Sequence, residues 1–258
     1  MLIGMVHALP LPGSPRSQDG VERLVEQAVL EARILAETGF GGLILENMHD
    51  TPYVHGQHPP ETVAVMTRIG IAVRQAVPEL RMGVQILSGG AREAVAVALA
   101  IGAEFVRVEN FVFAHVADEG LLERAEAGPL LRYRRAIGAQ GVQVYADIKK
   151  KHASHALTAD LSLAEAARGA EFFGADGLIV TGTSTGQPTR PEDLAEVKAA
   201  TGLPVLVGSG VTPDQLSALR AANGLIVGSW IKQGGHWSGP LDRERCLRLA
   251  AAYSAICQ

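Results

Sequence analysis

Cysteine is scarce in this chain, with two in 258 residues. Cys246 and Cys257 fall in one predicted helix, where a rise of about 1.5 Å per residue separates them by roughly 16 Å. That is beyond disulfide reach, so a disulfide framework is excluded and both read as packing residues. Aromatics are also few, at 5% against a hydrophobic fraction of 47%. The core must then be Val, Ile, Leu and Ala, a composition that suits buried parallel strands under Ala-rich helices. No run of about 18 apolar residues occurs, which excludes a membrane-spanning helix. The opening MLIGMVHALPLPGSP has neither a basic leader nor a sustained apolar core, and the expectation is a cytoplasmic protein without stable membrane insertion. Excess positive charge is missing too: the net charge is −4 and the pI near 6.1, which gives no pull toward nucleic acid or anionic lipid. The basic run Lys149 to His152 is too short to alter that. No redox-cofactor fingerprint is present.

What the sequence does contain is an eightfold alternation of short apolar runs and amphipathic segments. The strands are expected at Leu2 to His7, Gly42 to Asn47, Met82 to Leu87, Phe105 to Asn110, Val142 to Ile148, Gly177 to Thr181, Pro204 to Gly208 and Leu225 to Gly228. Helices are expected near Gly20 to Glu37, Glu61 to Ala76, Ala91 to Ile101, Ala127 to Gly138, Ser162 to Phe173, Pro191 to Ala200, Pro213 to Ala221 and Asp242 to Ile256. Eight βα units without a break in composition predict an α/β fold, one closed (β/α)8 TIM barrel over residues 1–258. In such a barrel chemistry sits at the C-terminal ends of the strands.

The last two βα turns carry the most specific signal. PVLVG and GLIVG end in Gly208-Ser209-Gly210 and Gly228-Ser229, and paired Gly-Ser turns on neighbouring parallel strands offer backbone N–H groups to one phosphate. Gly208, Ser209, Gly210, Gly228 and Ser229 are the expected phosphate site. The other strand ends supply the reactive groups. His7 ends the first strand, followed by a proline-stiffened loop; Glu46 and Asn47 end the second; Gln85 lies in the third. Asn110 ends the fourth beside Glu109, a carboxylate that could equally bridge to a helix, with Arg107 close by. Period-two alternation places Tyr145, Asp147 and Lys149 on one face of the fifth strand, where a carboxylate beside a lysine can tune proton transfer or a lysine can form a Schiff base. Thr181, Thr183 and Ser184 form a hydroxyl-rich loop after the sixth strand. Asp147, Lys149, His7 and Glu46 are the catalytic candidates, and Asn47, Gln85, Asn110, Thr181, Thr183 and Ser184 the substrate-binding ones. No cofactor is expected. Glu46, His49, Asp50, His55 and His58 hold enough donors for a divalent metal but no recognised ligand spacing. The long connection Phe111 to Gly128 is expected to be a lid.

Six segments together resemble the BtpA/SgcQ family. They are GMVH with LPLPGSP from Gly4, ENMHDTPY from Glu46, RVEN from Arg107, ADIK from Ala146, TGTSTG from Thr181 and VGSGVT from Val207. The run Ile148 to His152 departs from the Val-Lys-His wording of that family. The resemblance implies a ribulose-phosphate-binding type of barrel, and a family name taken from photosystem I accumulation in cyanobacteria. Three functions are then in play. The first is an enzyme that acts by acid/base chemistry on a phosphorylated sugar or related metabolite, as an isomerase, a lyase or in glycosyl-phosphate transfer. The second is a non-catalytic assembly or stability factor for a membrane complex such as photosystem I. The third is a metal-dependent hydrolase. Exposed barrel helices often self-associate, so a homo-oligomer is a mild expectation.

Overall fold

A computed structural model describes residues 1–182 and 188–256. Thr183, Ser184 and Cys257 lie outside the described residues. Eight parallel strands close a barrel: β1 (Leu2–His7), β2 (Gly42–Glu46), β3 (Arg81–Gln85), β4 (Phe105–Val108), β5 (Gln143–Ile148), β6 (Gly177–Val180), β7 (Val205–Val207) and β8 (Gly224–Val227). The ring closes where Leu2 pairs with Leu225 and Gly4 with Val227. Outside it run α1 (Val21–Glu37), α2 (Pro60–Ala76), α3 (Ala91–Ile101), α4 (Ala127–Ala136), α5 (Leu163–Phe172), α6 (Pro191–Ala200) and α7 (Arg243–Ile256). Among the described residues no helix is long and apolar enough to cross a membrane.

Side-chain alternation divides the core in two. Outward residues pack under the helices, as where α1 buries Leu24, Val25, Ala28, Ala32 and Leu35 on one stripe. Inward residues Ile3, Met5, Ile44, Phe105, Tyr145, Ile179, Leu206 and Ile226 fill the lumen. Two inward positions are glycine because their neighbours are large. A Cβ on Gly83 would stand 2.3 Å from the Phe105 ring, and one on Gly177 would stand 2.3 Å from that of Tyr145. The lumen is thus plugged, and polar chemistry is confined to the layer above it.

Two expectations need correction. The helix predicted over Pro213 to Ala221 is a single 3₁₀ turn, Pro213–Gln215, followed by turns. Leu216 and Leu219 are the buried anchors there, and their three-residue spacing matches the 3₁₀ period; Leu219 N donates to Leu216 O and Ala222 N to Leu219 O. The long connection after β4, expected to be a lid, contains strands of its own. His115–Ala117 and Gly120–Leu122 form an antiparallel hairpin, and Ala153–Ser154 from the loop after β5 adds a third strand to it.

Candidate active site at the barrel mouth

A cavity of about 480 Å³ opens at the C-terminal ends of the strands, within the roughly 300–1,000 Å³ range of small-molecule pockets. Met5 and Ile226 contribute to its lining from the lumen, and His7, Glu46, Gln85 and Arg107 stand two residues higher on their strands. Gln85 is 2% exposed, and its Oε1 accepts no hydrogen bond from the described residues. The tip of the hairpin adds Asp118 and Glu119, whose Oε2 is likewise buried without a partner.

His7 and Glu46 are direct cross-strand neighbours on β1 and β2. His7 Nε2 lies 3.4 Å from Glu46 Oε2, while Nδ1 lies 3.0 Å from the Trp237 carbonyl. A carbonyl only accepts, so Nδ1 carries the proton and Nε2 presents its lone pair to Glu46. Burial, reinforced by the charge of Lys232, holds the His7 pKa well below the usual imidazole value. Burial also pushes the Glu46 carboxyl up to about 7, against the pull of Arg107 and Lys151. The mouth therefore holds a neutral imidazole against a carboxyl poised to gain or lose its proton near neutrality. Trp237, on the loop after β8, also packs against His49 with ring centroids 5.1 Å apart.

Asp147 accepts from Arg107 Nε and Nη2, both at 2.9 Å, with its side chain fully buried. Its charge holds the guanidinium pKa up against the opposing effect of burial. Arg107, not Asp147, is the member of the pair that lines the cavity. Lys149 turns away from the mouth. Its φ of 45° breaks the strand alternation, and its ammonium donates to the carbonyls of Thr158 and Leu161. The cavity lysines are Lys150 and Lys151. Lys150 Nζ pairs with Glu109 Oε1 at 3.2 Å, so that carboxylate bridges to the loop after β5 rather than to a helix. Lys151 enters none of the ion pairs among the described residues, and burial lowers its pKa with Arg107 adding to the effect.

Three substrate-binding candidates, Asn47, Asn110 and Thr181, do not line the cavity. Asn47 donates to Asp50 and to Leu87 O and accepts from Leu87 N at 2.7 Å, which ties the end of β2 to that of β3. Asn110 is 1% exposed and donates Nδ2 to Arg124 O, while its Oδ1 is buried without a partner among the described residues. Thr181 Oγ1 accepts from Lys151 N and so fixes the backbone of the cavity lysine. The strand-two donors likewise disperse. Asp50 accepts from Leu11 N, His58 meets Ser88 O, and His49 stacks on Trp237. Among the described residues no group of three or more His, Cys, Asp or Glu is placed to hold a metal ion.

All five phosphate candidates line the same cavity. Gly208 N donates to Val180 O at 2.8 Å, so its amide is used in the strand ladder. Its contribution is room: a Cβ there would stand 2.7 Å from Ile179 Cγ2 and 3.5 Å from Arg107 Nη2. Gly210 has φ +66°, a left-handed turn that glycine adopts freely. Arg245 of α7 adds a cation. Its guanidinium donates to the Trp230 carbonyl, lies 4.7 Å from that ring's centroid, and lines the cavity beside Gly235. Arg107, Lys151, Trp237 and Arg245 escaped sequence reasoning because each is named by packing across distant segments. Arg107 and Lys151 stood in segments the sequence singled out, RVEN and the basic run after β5, but nothing local assigned either to the cavity.

The BtpA family pattern matches residues 1–254. An uncharacterized mitochondrial protein of Caenorhabditis elegans is 40% identical, with 95% of this chain and 90% of the relative covered. The photosystem I biogenesis protein BtpA of Synechocystis is 37% identical over 100% of this chain and 88% of its own length. Among solved structures, thiamine phosphate pyrophosphorylase from Pyrococcus furiosus superimposes with TM-score 0.62 at 16% identity, covering 100% of this chain and 96% of that one. Phosphoribosyl anthranilate isomerase from Thermus thermophilus gives 0.60 at 12%, covering 99% and 98%. At such identities these two establish the TIM-barrel fold.

Proposed function

Because this chain belongs to the BtpA family, whose barrel mouth is now described, we propose that it is an enzyme that binds a phosphorylated small molecule there and moves a proton on it. The carrying observation is one cavity that joins both Gly-Ser corners to the Glu46–His7 pair. The phosphate would dock on the main chain of Ser209, Gly210 and Ser229, with Arg245 balancing its charge. The named activities of the structural neighbours, a thiamine phosphate pyrophosphorylase and a phosphoribosyl anthranilate isomerase, accord with a phosphorylated substrate on this fold.

Glu46 is the residue that exchanges the proton, since burial pushes its carboxyl up to about 7. His7 Nε2 is the neighbouring acceptor that shares it. Lys151, outside the ion pairs among the described residues, offers a cation to an oxyanion that develops at the reacting carbon. Gln85 Oε1 and Glu119 Oε2, both waiting for donors, suit the hydroxyl groups of a sugar. Isomerisation and aldol-type cleavage are the reaction classes this set serves.

Calorimetric titration with ribose 5-phosphate, ribose and inorganic phosphate tests the reading. Binding of the ester and of phosphate but not of free ribose is expected, with loss in Gly228→Asp, whose new carboxylate would occupy the corner. Equal binding of ribose and its phosphate by the native protein would overturn it.

A second reading, an assembly factor, is favoured by Phe172 and Phe173, which are 86% and 53% exposed at the end of α5 away from the mouth. If that face carries the function, Phe172→Ser with Phe173→Ser abolishes it and Gly228→Asp does not.

A further inference from the structure

Behind the cavity, on the outer side of the barrel, an ion pair is buried that the chemistry at the mouth does not use. Lys232 Nζ lies 2.9 and 3.1 Å from the two oxygens of Glu31, and the residues are 1% and 2% exposed. Glu31 belongs to α1, whereas Lys232 opens the loop after β8. The same carboxylate accepts from Leu241 N at 3.2 Å. Lys232 and Leu241 face each other across an antiparallel bridge, and Gln233 N donates to Pro240 O at 2.9 Å. One carboxylate on α1 therefore clasps both ends of the 232–241 segment. At the tip of that segment is Trp237, whose carbonyl meets His7 Nδ1.

We infer that Glu31 and Lys232 are positioning residues for the reaction: by clasping the 232–241 loop they hold the Trp237 carbonyl on His7 and so decide where the proton of the His7–Glu46 pair resides. The inference rests on the reading of that pair as the proton-transfer group. With the carbonyl in place, Nδ1 keeps its proton and Nε2 can only accept, which leaves the Glu46 carboxyl as the donor. With the loop released, the imidazole is free to carry its proton on Nε2 and donate to Glu46, a bond that favours the carboxylate. The remaining charged groups around the pair come from other elements: His49 after β2, Arg107 on β4, Glu109 just after β4, Asp147 on β5 and Lys151 beyond it. Of these, His49 meets the loop at the Trp237 ring; none touches the Glu31–Lys232 clasp in the contacts described above.

The test needs no ligand. In the native protein labelled with ¹⁵N-histidine, His7, assigned by its loss in His7→Gln, should appear as the single Nδ1–H tautomer, and carboxyl ¹³C titration should place Glu46 near neutrality. In Glu31→Gln, and in the double variant Glu31→Leu with Lys232→Met, His7 should become a mixture of tautomers and the Glu46 midpoint should fall by about one pH unit. The double variant removes both charges at once, so the deciding readout is the tautomer, which follows the Trp237 carbonyl rather than the field of Lys232. Apolar replacement of a whole buried pair is often neutral where breaking it is not, so the double variant is the one expected to stay folded. A native His7 in the Nε2–H form overturns the inference outright. So does a folded double variant whose tautomer and midpoint match the native protein. Failure of phosphate to bind would count against the proposed function but would leave these spectra unchanged.

Discussion

At the scale of single residues, Glu46 makes the sharpest prediction. Its folded pKa of about 7 lies above the ordinary carboxyl value, so the folded state binds the proton more tightly than the unfolded chain does. That contribution to stability is complete below about pH 4.5 and is lost as pH rises through 7. Relative to Glu46→Gln, the native protein should therefore lose about 3 kcal/mol of stability between pH 4 and 8, at 1.36 kcal/mol per pKa unit. His7 acts in the opposite sense: its lowered pKa weakens the fold as pH falls below 6.5, which is why the comparison with the glutamine variant, by urea unfolding across pH, isolates Glu46. Arg107 supplies a second prediction. Arg107→Met strands the Asp147 carboxylate with no cation in a fully buried setting, a loss on the order of 3–5 kcal/mol that thermal unfolding would register. Asp147→Asn should show the same kind of loss together with weakened ligand binding, because the guanidinium it orients is the part that faces the cavity.

At the scale of elements, the corner after β7 is governed by a clash that is avoided. Gly208→Ala would press a methyl against Ile179 and toward Arg107, and overpacking of this kind costs about 1–3 kcal/mol. The matching expectation in function is weaker binding of inorganic phosphate, measured by calorimetry, since the displaced guanidinium lies at the same corner. The hairpin over the mouth makes a different prediction. Its strands are short and partly exposed, with Val116 at 40% and Leu121 at 54%. Amide exchange at 115–122 should therefore be faster than in β1 to β8 and should slow when a sugar phosphate is bound.

At the scale of the whole molecule, a phosphorylated ligand supplied at a hundredfold its dissociation constant adds about 2.7 kcal/mol to stability. For a chain of 258 residues that is a rise in melting temperature of roughly 5–10 °C, a shift that a panel of sugar phosphates can be screened against. The barrel itself was legible in the sequence, because its strands are short apolar runs and several of its helix-to-strand joints carry a glycine, as at Gly102 and Gly174, both with positive φ. The Gly-Ser corners were legible for the same local reason. The turn after β7 was not, since Leu216 and Leu219 obey a helical pattern and a 3₁₀ pattern equally until packing chooses. Nor was the pairing of Arg107 with Asp147, or the approach of Trp237 to His7. Those contacts join residues 40 and 230 apart, and only the closing of the barrel brings them together. Lys149 misled because the alternation that placed it inward ends where its own φ turns positive.

The rung between Val116 and Ser154 has a consequence for anyone who would re-engineer this protein. Loops above a barrel are ordinarily separate modules, exchanged one at a time between scaffolds. Here the connections after β4 and β5 are stitched into one fabric, so a graft of either alone leaves the other with a torn edge. A transplant that changes what this barrel accepts must carry both.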